Sequence, residues 1–231
     1  LRNDGDRHQL SGRLRFVQEK LSEFSFKVDL KGSPLSSSQN HLSGPIYLHG
    51  ENVFLDRWFN QWKPTLQLQN ARANFKIWAN WQSDRFTQFQ GLIDSLQAAS
   101  IKINKQPAIA FLPFSTHLLW QATQQYNWSI DAIVHDFGVQ AWQKIPGIQG
   151  LDAYLHMTPT MGNIIAHAND CSIDFNKLFK APIHLDGLTS QLNWQQKEGE
   201  WIIQVPQLEA TNQDVAVNSQ FSLLIPKLAS Q

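Results

Sequence analysis

Apolar and polar residues alternate with a period of two along most of this chain. In the first clear stretch, Phe24, Phe26 and Val28 alternate with Ser25 and Lys27. The same alternation recurs in four later stretches, at residues 73–81, 128–135, 151–157 and 215–225. This pattern is typical of β-strands that bury one face and expose the other. The sequence therefore predicts a mainly β protein whose sheet has one apolar face.

The spacing of the turns indicates how these strands are connected. Turn-forming residues recur at short intervals, for example at 146–147, 161–163 and 198–200, which favours an antiparallel meander. Helical patterns are confined to residues 55–62 and 174–180, which end before Pro64 and Pro182. We therefore predict an antiparallel meander curled into an elongated groove, with one to three short helices. Because no Pro/Gly/Ser-rich linker divides residues 1–231, we expect a single β-rich segment.

A sheet with a long apolar face needs a cover for that face. The cover can be a second sheet, a layer of helices or a ligand, and the predicted helices are too few to serve. Two arrangements remain open at this point: a closed sandwich, and a curled groove that holds acyl chains.

Aromatic residues recur on both arms of several predicted hairpins, seven or eight residues apart. The pairs are Trp78 and Phe86, Trp120 and Trp128, and Trp194 and Trp201. Cross-strand aromatic pairs stabilise a hairpin by about 0.2–1 kcal/mol each. These aromatics either fix the register only or also line a ligand-binding surface, and the two roles are compatible.

The residues of the apolar parity are the candidates for such a lining, and ordinary core packing is the alternative for each of them. The candidates are Phe24, Phe26, Val28, Phe75, Ile77, Trp120, Trp128, Ile130, Leu192, Trp194, Trp201, Phe221 and Leu223.

The charge of the chain narrows the choice of partners. Lys+Arg and Asp+Glu are equal at 19 each, and charged residues make up only 16% of the chain. A nucleic-acid-binding protein needs a basic footprint, and an anionic membrane surface attracts basic segments. The composition therefore argues against both partners. A neutral surface with few charges favours a place in a larger assembly.

The sequence contains no convincing catalytic or metal-binding motif. The eight histidines show no close metal-ligand spacing. Asp136, Phe137 and Gly138 match a kinase triplet without the glycine-rich loop and catalytic loop that it requires. The single cysteine, Cys171, lies in an alternating stretch and is expected to be a small buried hydrophobic residue. We predict a protein that is not an enzyme and holds neither a cofactor nor a metal.

An ordered series of short motifs resembles the YhdP-like, AsmA-like family of Gram-negative bacteria. Residues 145–153 read IPGIQGLDA. The later motifs are Gly162, residues 173–175, residues 178–183, residues 188–194, Trp201 and residues 208–214. The resemblance is dense over residues 145–226, and residues 1–144 match more loosely as hairpin repeats.

The resemblance implies a fold and a function. Proteins of this kind have an inner-membrane anchor and a long periplasmic body, which is a curled β-sheet groove with an apolar interior. The family is implicated in moving phospholipid between the inner and outer membranes, and it has no catalytic residues to carry over. The expected partners are therefore phospholipid acyl chains, adjoining segments of the same longer chain, and an anchor outside this segment.

Features of the chain itself agree with a segment of that body. No run of about 18 apolar residues could span a membrane as a helix. The first residues contain neither an initiating Met nor the apolar core of a signal peptide. We expect a periplasmic segment cut from a longer chain.

A different class of function remains open. Nine tryptophans and zero net charge also suit a Trp-rich β-sandwich that binds polysaccharide, or a structural envelope module without a ligand. Sugar stacking requires an exposed aromatic residue on the polar face. Trp78 has that parity, whereas Trp120 and Trp194 do not.

Overall fold

The computed structural model describes residues 2–15, 22–33, 42–62, 65–82, 85–123, 127–176 and 178–226. These residues form antiparallel β-structure with one short helix, α1 (Leu55–Trp62). The strands are β1 (Arg2–Asp4), β2 (Arg7–Arg15), β3 (Glu23–Lys31), β4 (Ser43–Phe54), β5 (Leu66–Gln69), β6 (Arg72–Gln82), β7 (Arg85–Gln97), β8 (Ser100–Ile103), β9 (Ile109–Ala110), β10 (Ser115–Thr123), β11 (Trp128–Val139), β12 (Gly147–Met157), β13 (Met161–Ala168), β14 (Cys171–Asp174), β15 (Ile183–Leu185), β16 (Gly187–Lys197), β17 (Glu200–Thr211) and β18 (Ala216–Ile225).

One large sheet contains most of these strands. Its lateral order is β1-β2-β3-β4-β6-β7-β10-β11-β12-β13-β16-β17-β18, and every pairing is antiparallel. The chain leaves this meander where α1 and β5 lie between β4 and β6, where β8 and β9 lie between β7 and β10, and where β14 and β15 lie between β13 and β16. The sheet is open and curled, and does not close into a barrel. The predicted curled antiparallel meander is confirmed.

A small sheet continues the large one at one end of its strands. Its order, β5-β8-β9, repeats the lateral order of β6, β7 and β10, to which its strands connect along the chain. Backbone hydrogen bonds also join the segments that connect the two sheets. The amide of Ala99 donates to the carbonyl of Gln69, and the amide of Phe111 donates to the carbonyl of Ala99. At the same end, β14 pairs with the first residues of β12, and β15 pairs with β14.

The two predicted helices differ in outcome. The helix at residues 55–62 is confirmed as α1. The prediction of a helix at residues 174–180 is wrong, because Asp174 is the last residue of β14 and pairs with Gly147. The described residues between Asp174 and Pro182 are not helical, although the carbonyl of Phe175 accepts hydrogen bonds from the amides of Leu178 (2.8 Å) and Phe179 (3.1 Å).

β-Bulges concentrate near the end of the large sheet that the small sheet continues. Register shifts occur between Gly50 and Val53, and between Val134 and Phe137. Asn52 and Asp136 lie within these shifts and have positive φ angles of 49° and 58°. Bulges bend a strand and increase its twist, so these shifts favour a curled sheet over a flat one.

Candidate functional site

The register of the large sheet joins its apolar side chains into one continuous face. Directly opposed residues of neighbouring antiparallel strands point to the same side of a sheet. One row of such partners crosses the large sheet from β2 to β18 and contains apolar residues and glycine only. The row is Gly12, Phe26, Leu48, Ile77, Gly91, Trp120, Ile130, Met157, Gly162, Trp194, Ile203 and Leu223. We call the side of the sheet that carries this row the apolar face.

Every candidate lining residue lies on the apolar face. They are Phe24, Phe26 and Val28 on β3, Phe75 and Ile77 on β6, Trp120 on β10, Trp128 and Ile130 on β11, Leu192 and Trp194 on β16, Trp201 on β17, and Phe221 and Leu223 on β18. The structure thus brings them to one surface. Their role as a lipid lining stays a prediction.

Burial varies across the apolar face. In the middle of the sheet, small residues such as Ala132 and Ala166 are buried, while Ile130 and Leu192 are half-buried. Towards the two lateral edges the face is exposed, at Leu14 on β2 and at Phe221 and Leu223 on β18. A closed sandwich core would bury such side chains fully, so the apolar face is open towards these two edges.

At one end of its strands the apolar face merges into packed protein. Ala168, Cys171, Leu185 and Leu188 form a buried cluster there. Ala71 and Ala73 are buried where β5 continues into β6. We call this the packed end of the face. The expectation that Cys171 is a buried hydrophobic residue is confirmed, and burial raises the pKa of its thiol.

The opposite end of the same strands carries the aromatic residues, and we call it the aromatic end. They are Trp81, Phe86, Phe89, Trp120, Trp128, Trp194 and Trp201. Trp120 packs against Phe89 with ring centroids 4.6 Å apart and is still 42% exposed. Indole rings favour such a position, because they offer an apolar body and a polar N–H at a boundary with water.

The aromatic hairpin repeat is confirmed in part. Trp120 and Trp128 lie on the same face, as do Trp194 and Trp201. The third proposed pair is wrong, because Trp78 opposes Gln90 on the polar face and Phe86 opposes Trp81 on the apolar face. Trp81 and Phe86 make an edge-to-face contact at 5.0 Å. The turn expected at residues 83–84 lies outside the described residues.

The other side of the sheet, the polar face, carries the ion pairs. The guanidinium of Arg7 donates to the carboxylate of Asp29 (Nε to Oδ1, 2.8 Å), which holds the pKa of Asp29 well below its usual range. Lys76 lies 3.5 Å from Asp94. Trp78 also lies on this face beside Tyr47, with ring centroids 5.6 Å apart. The parity assigned to Trp78 is therefore confirmed, but the sandwich that the polysaccharide alternative requires is not the fold found.

One group on the polar face combines a carboxylate, an imidazole and a phenol. Asp131 accepts hydrogen bonds from Nδ1 of His156 (2.7 Å) and from the hydroxyl of Tyr154 (2.9 Å). The hydrogen bond from His156, followed by that from Tyr154, lowers the pKa of Asp131. The carboxylate therefore stays ionised and fixes the ring orientation of His156. Among the described residues, no three His, Cys, Asp or Glu side chains are placed to hold a metal ion.

Within the part of the chain that the structure describes, no helix is both long enough and apolar enough to cross a bilayer.

An open, curled antiparallel sheet with one uncharged apolar face and one polar face defines the class of this protein: a β-groove protein. The chain belongs to the YhdP family, because the model of that family, described as YhdP protein, matches residues 114–230, just over half of the chain. The match confirms the resemblance and begins upstream of residue 145, at the segment that leads into β10. Comparisons with curated proteins and with solved structures give no significant match.

Proposed function

We propose that this chain is a segment of a periplasmic lipid conduit, in which phospholipid moves between the inner and outer membranes with its acyl chains on the apolar face. The supporting observation is the unbroken apolar row from β2 to β18. Neighbouring strands are about 4.8 Å apart, so the row is about 50 Å long when measured around the curl.

The chemistry of the row suits acyl chains. It contains no Asp, Glu, Lys or Arg side chain, so it offers nothing that would bind a headgroup tightly. Each buried methylene of a lipid gains about 0.8 kcal/mol, and this gain has no directional requirement. A lipid could therefore move along the row without breaking specific polar contacts. This is binding and conduction without catalysis.

The two ends of the apolar face favour one orientation of the lipid. About six residues separate Trp128 from Val134 and Trp194 from Leu188, which corresponds to about 20 Å along a strand. One leaflet of a bilayer has a hydrocarbon thickness of about 15 Å, half of the full core. An acyl chain thus fits between the two ends. The indoles at the aromatic end suit the level of the headgroup, as at a membrane interface.

The lateral edges favour neighbours of similar construction. Phe221 and Leu223 on β18 and Leu10 and Leu14 on β2 continue the apolar face to both edges of the sheet, where they are exposed. Further strands with the same alternation would extend the face in both directions. We propose adjoining segments of the same longer chain as these neighbours, with the inner-membrane anchor outside this segment.

The test compares two substitutions on one strand. Ile130 lies on the apolar face of β11, and Ile133 lies on its polar face and is exposed. The chain is purified from cells rich in phospholipid, and the bound lipid is measured by mass spectrometry. We expect phospholipid with the unchanged chain and with Ile133→Asp, and a loss of most of it with Ile130→Asp.

Circular dichroism accompanies each measurement, since the variants must keep their β-structure for the comparison to count. Equal lipid content in Ile130→Asp and Ile133→Asp, or no lipid in the unchanged chain, would contradict the conduit.

A further inference from the structure

A cleft of about 400 Å³ lies against strands β12, β13, β16 and β17, and the side chains of most of its lining residues belong to the polar face. Its volume falls within the range typical of small-molecule sites, about 300–1,000 Å³. The conduit proposed above uses the opposite side of the sheet, so the role of this cleft is a separate question.

Carboxamide side chains dominate the lining of the cleft. His156, Asn163, Asn193 and Gln204 are successive cross-strand partners, so they form one row on four neighbouring strands. Gln191 and Gln195 flank Asn193 on β16, and Nε2 of Gln191 donates to Oδ1 of Asn193 at 3.2 Å. A carboxamide offers both donors and an acceptor. The row therefore offers both donors and acceptors at cross-strand spacings of about 5 Å.

A fixed imidazole closes one end of the row. Asp131 lies one strand further along, and its carboxylate accepts the Nδ1 hydrogen bond of His156 at 2.7 Å. The same carboxylate accepts the hydroxyl of Tyr154 at 2.9 Å. The ring of His156 is therefore held in place, and Nε2 is the ring nitrogen left to meet a ligand in the cleft. A preorganised group of this kind reduces the entropic cost of binding.

The charge of the lining selects the class of ligand. Among the described residues that line the cleft, none is Asp, Glu, Lys or Arg, so the lining favours a neutral ligand over an ion. Met161 and Ile202 add apolar surface beside the carboxamides. Hydroxyl groups both donate and accept hydrogen bonds, and sugar rings also present apolar C–H faces. We propose that the cleft formed by His156, Asn163, Gln191, Asn193 and Gln204 is a binding site for a neutral oligosaccharide.

The experiment uses residues 1–231 and three neutral probes: maltotetraose, cellotetraose and the tetramer of N-acetylglucosamine. Protein-observed NMR follows the backbone and side-chain amides during titration. We expect at least one probe to bind at millimolar concentration or below, with shifts concentrated at Asn163, Gln191, Asn193 and Gln204. A tetrasaccharide of hyaluronan, which carries carboxylates, is expected to bind more weakly.

Substitutions then locate the site. Asn193→Leu and, at a more exposed position, Gln204→Met each remove hydrogen-bonding groups at similar volume, and we expect each to weaken binding about tenfold. Asn80→Leu is the matched control, because Asn80 lies on the same polar face and bonds to Gln88 at 3.1 Å, outside the cleft. It should leave the affinity unchanged.

Three results would overturn the proposal. One is the absence of any shift with all three neutral probes, and another is preferential binding of the charged tetrasaccharide. The third is loss of binding in Trp78→Ala with full binding in Asn193→Leu and Gln204→Met, which would place the sugar on the Trp78 and Tyr47 rings instead. Since the readout is on the polar face, none of these results bears on the lipid test with Ile130.

Discussion

The ring of Phe75 occupies the space above Gly50, its direct cross-strand partner on the apolar face. A Cβ atom at position 50 would lie 2.6 Å from both Cε1 and Cζ of that ring. Phe26 covers Gly12 in the same way, and Trp194 covers Gly162. These aromatic rings thus take the place of the missing side chains and shape the apolar face.

Substitution of Gly50 tests this packing. We expect Gly50→Ala to destabilise the fold by about 1–3 kcal/mol, the usual cost of overpacking, because Phe75 or Val53 must move. Urea unfolding measures the change. Gly91→Ala is the control on the same face, since a Cβ there would meet only ordinary contacts, the nearest at 3.4 Å from Phe89. Equal losses in the two variants would show that the ring over Gly50 is not the cause.

The apolar face could be predicted from the sequence because strand alternation is local information. Phe24, Ile77 and Ile130 are assigned to one face by parity alone, and antiparallel register then brings them together without any further signal. The polar assignment of Trp78 follows in the same way. The face was therefore predictable residue by residue, although whether it is open or closed was not.

The packed end and the polar cleft depend on contacts that local patterns do not contain. Residues 174–180 have a helical pattern, and only the pairing of Asp174 with Gly147 of β12 places the first of them in a strand. Asn163, Asn193 and Gln204 are unremarkable polar residues of three strands until register aligns them. The sequence does not show that His156 lies beside Asp131, because their hydrogen bond joins two neighbouring strands.

The orientation proposed for the lipid predicts which part of it lies near the indoles. In a variant that keeps only the tryptophans of the aromatic end, fluorescence should be quenched more by a phospholipid brominated near its headgroup than by one brominated at its chain ends. The four other tryptophans are replaced by Phe, at Trp58, Trp62, Trp78 and Trp142. Stronger quenching by the chain-end label would show that the lipid lies in the opposite orientation. The absence of quenching by either label would count against lipid binding itself.

The thiol of Cys171 should be unreactive in the folded chain. It lies in the buried cluster with Ala168 and Leu188, and burial together with the nearby charge of Asp170 raises its pKa. Since the thiolate is the reactive form, we expect little reaction with a disulfide reagent at pH 8 and rapid reaction in concentrated urea. Rapid labelling without denaturant would mean that the packed end opens readily.

The Asp131 group predicts a contribution to acid stability. The folded pKa of Asp131 is lowered, so its stabilising effect is present above the unfolded value of about 3.9 and is lost as the pH falls through the folded pKa. We expect Asp131→Asn to reduce stability by about 1 kcal/mol at pH 7, a modest value because the pair is partly exposed. The difference between the variant and the unchanged chain should shrink at pH 3. A constant difference from pH 3 to pH 7, measured by urea unfolding, would argue against an ionised Asp131 as its source.

The edge strand β18 should make the isolated chain associate with itself. Along its outer edge, β18 pairs with no other strand among the described residues. Phe221 lies on the apolar face of this strand and is 53% exposed. Edges of this kind recruit further strands. We expect Phe221→Lys to lower the fraction of dimer and larger species in sedimentation velocity, because a charge on the apolar face opposes continuation of that face by a second strand. Ser222→Lys places the same charge on the polar face of the same strand and should have a smaller effect. If Phe221→Lys and Ser222→Lys lower the fraction of dimer and larger species equally, a charge on either face of β18 is sufficient. The apolar face then does not direct the association.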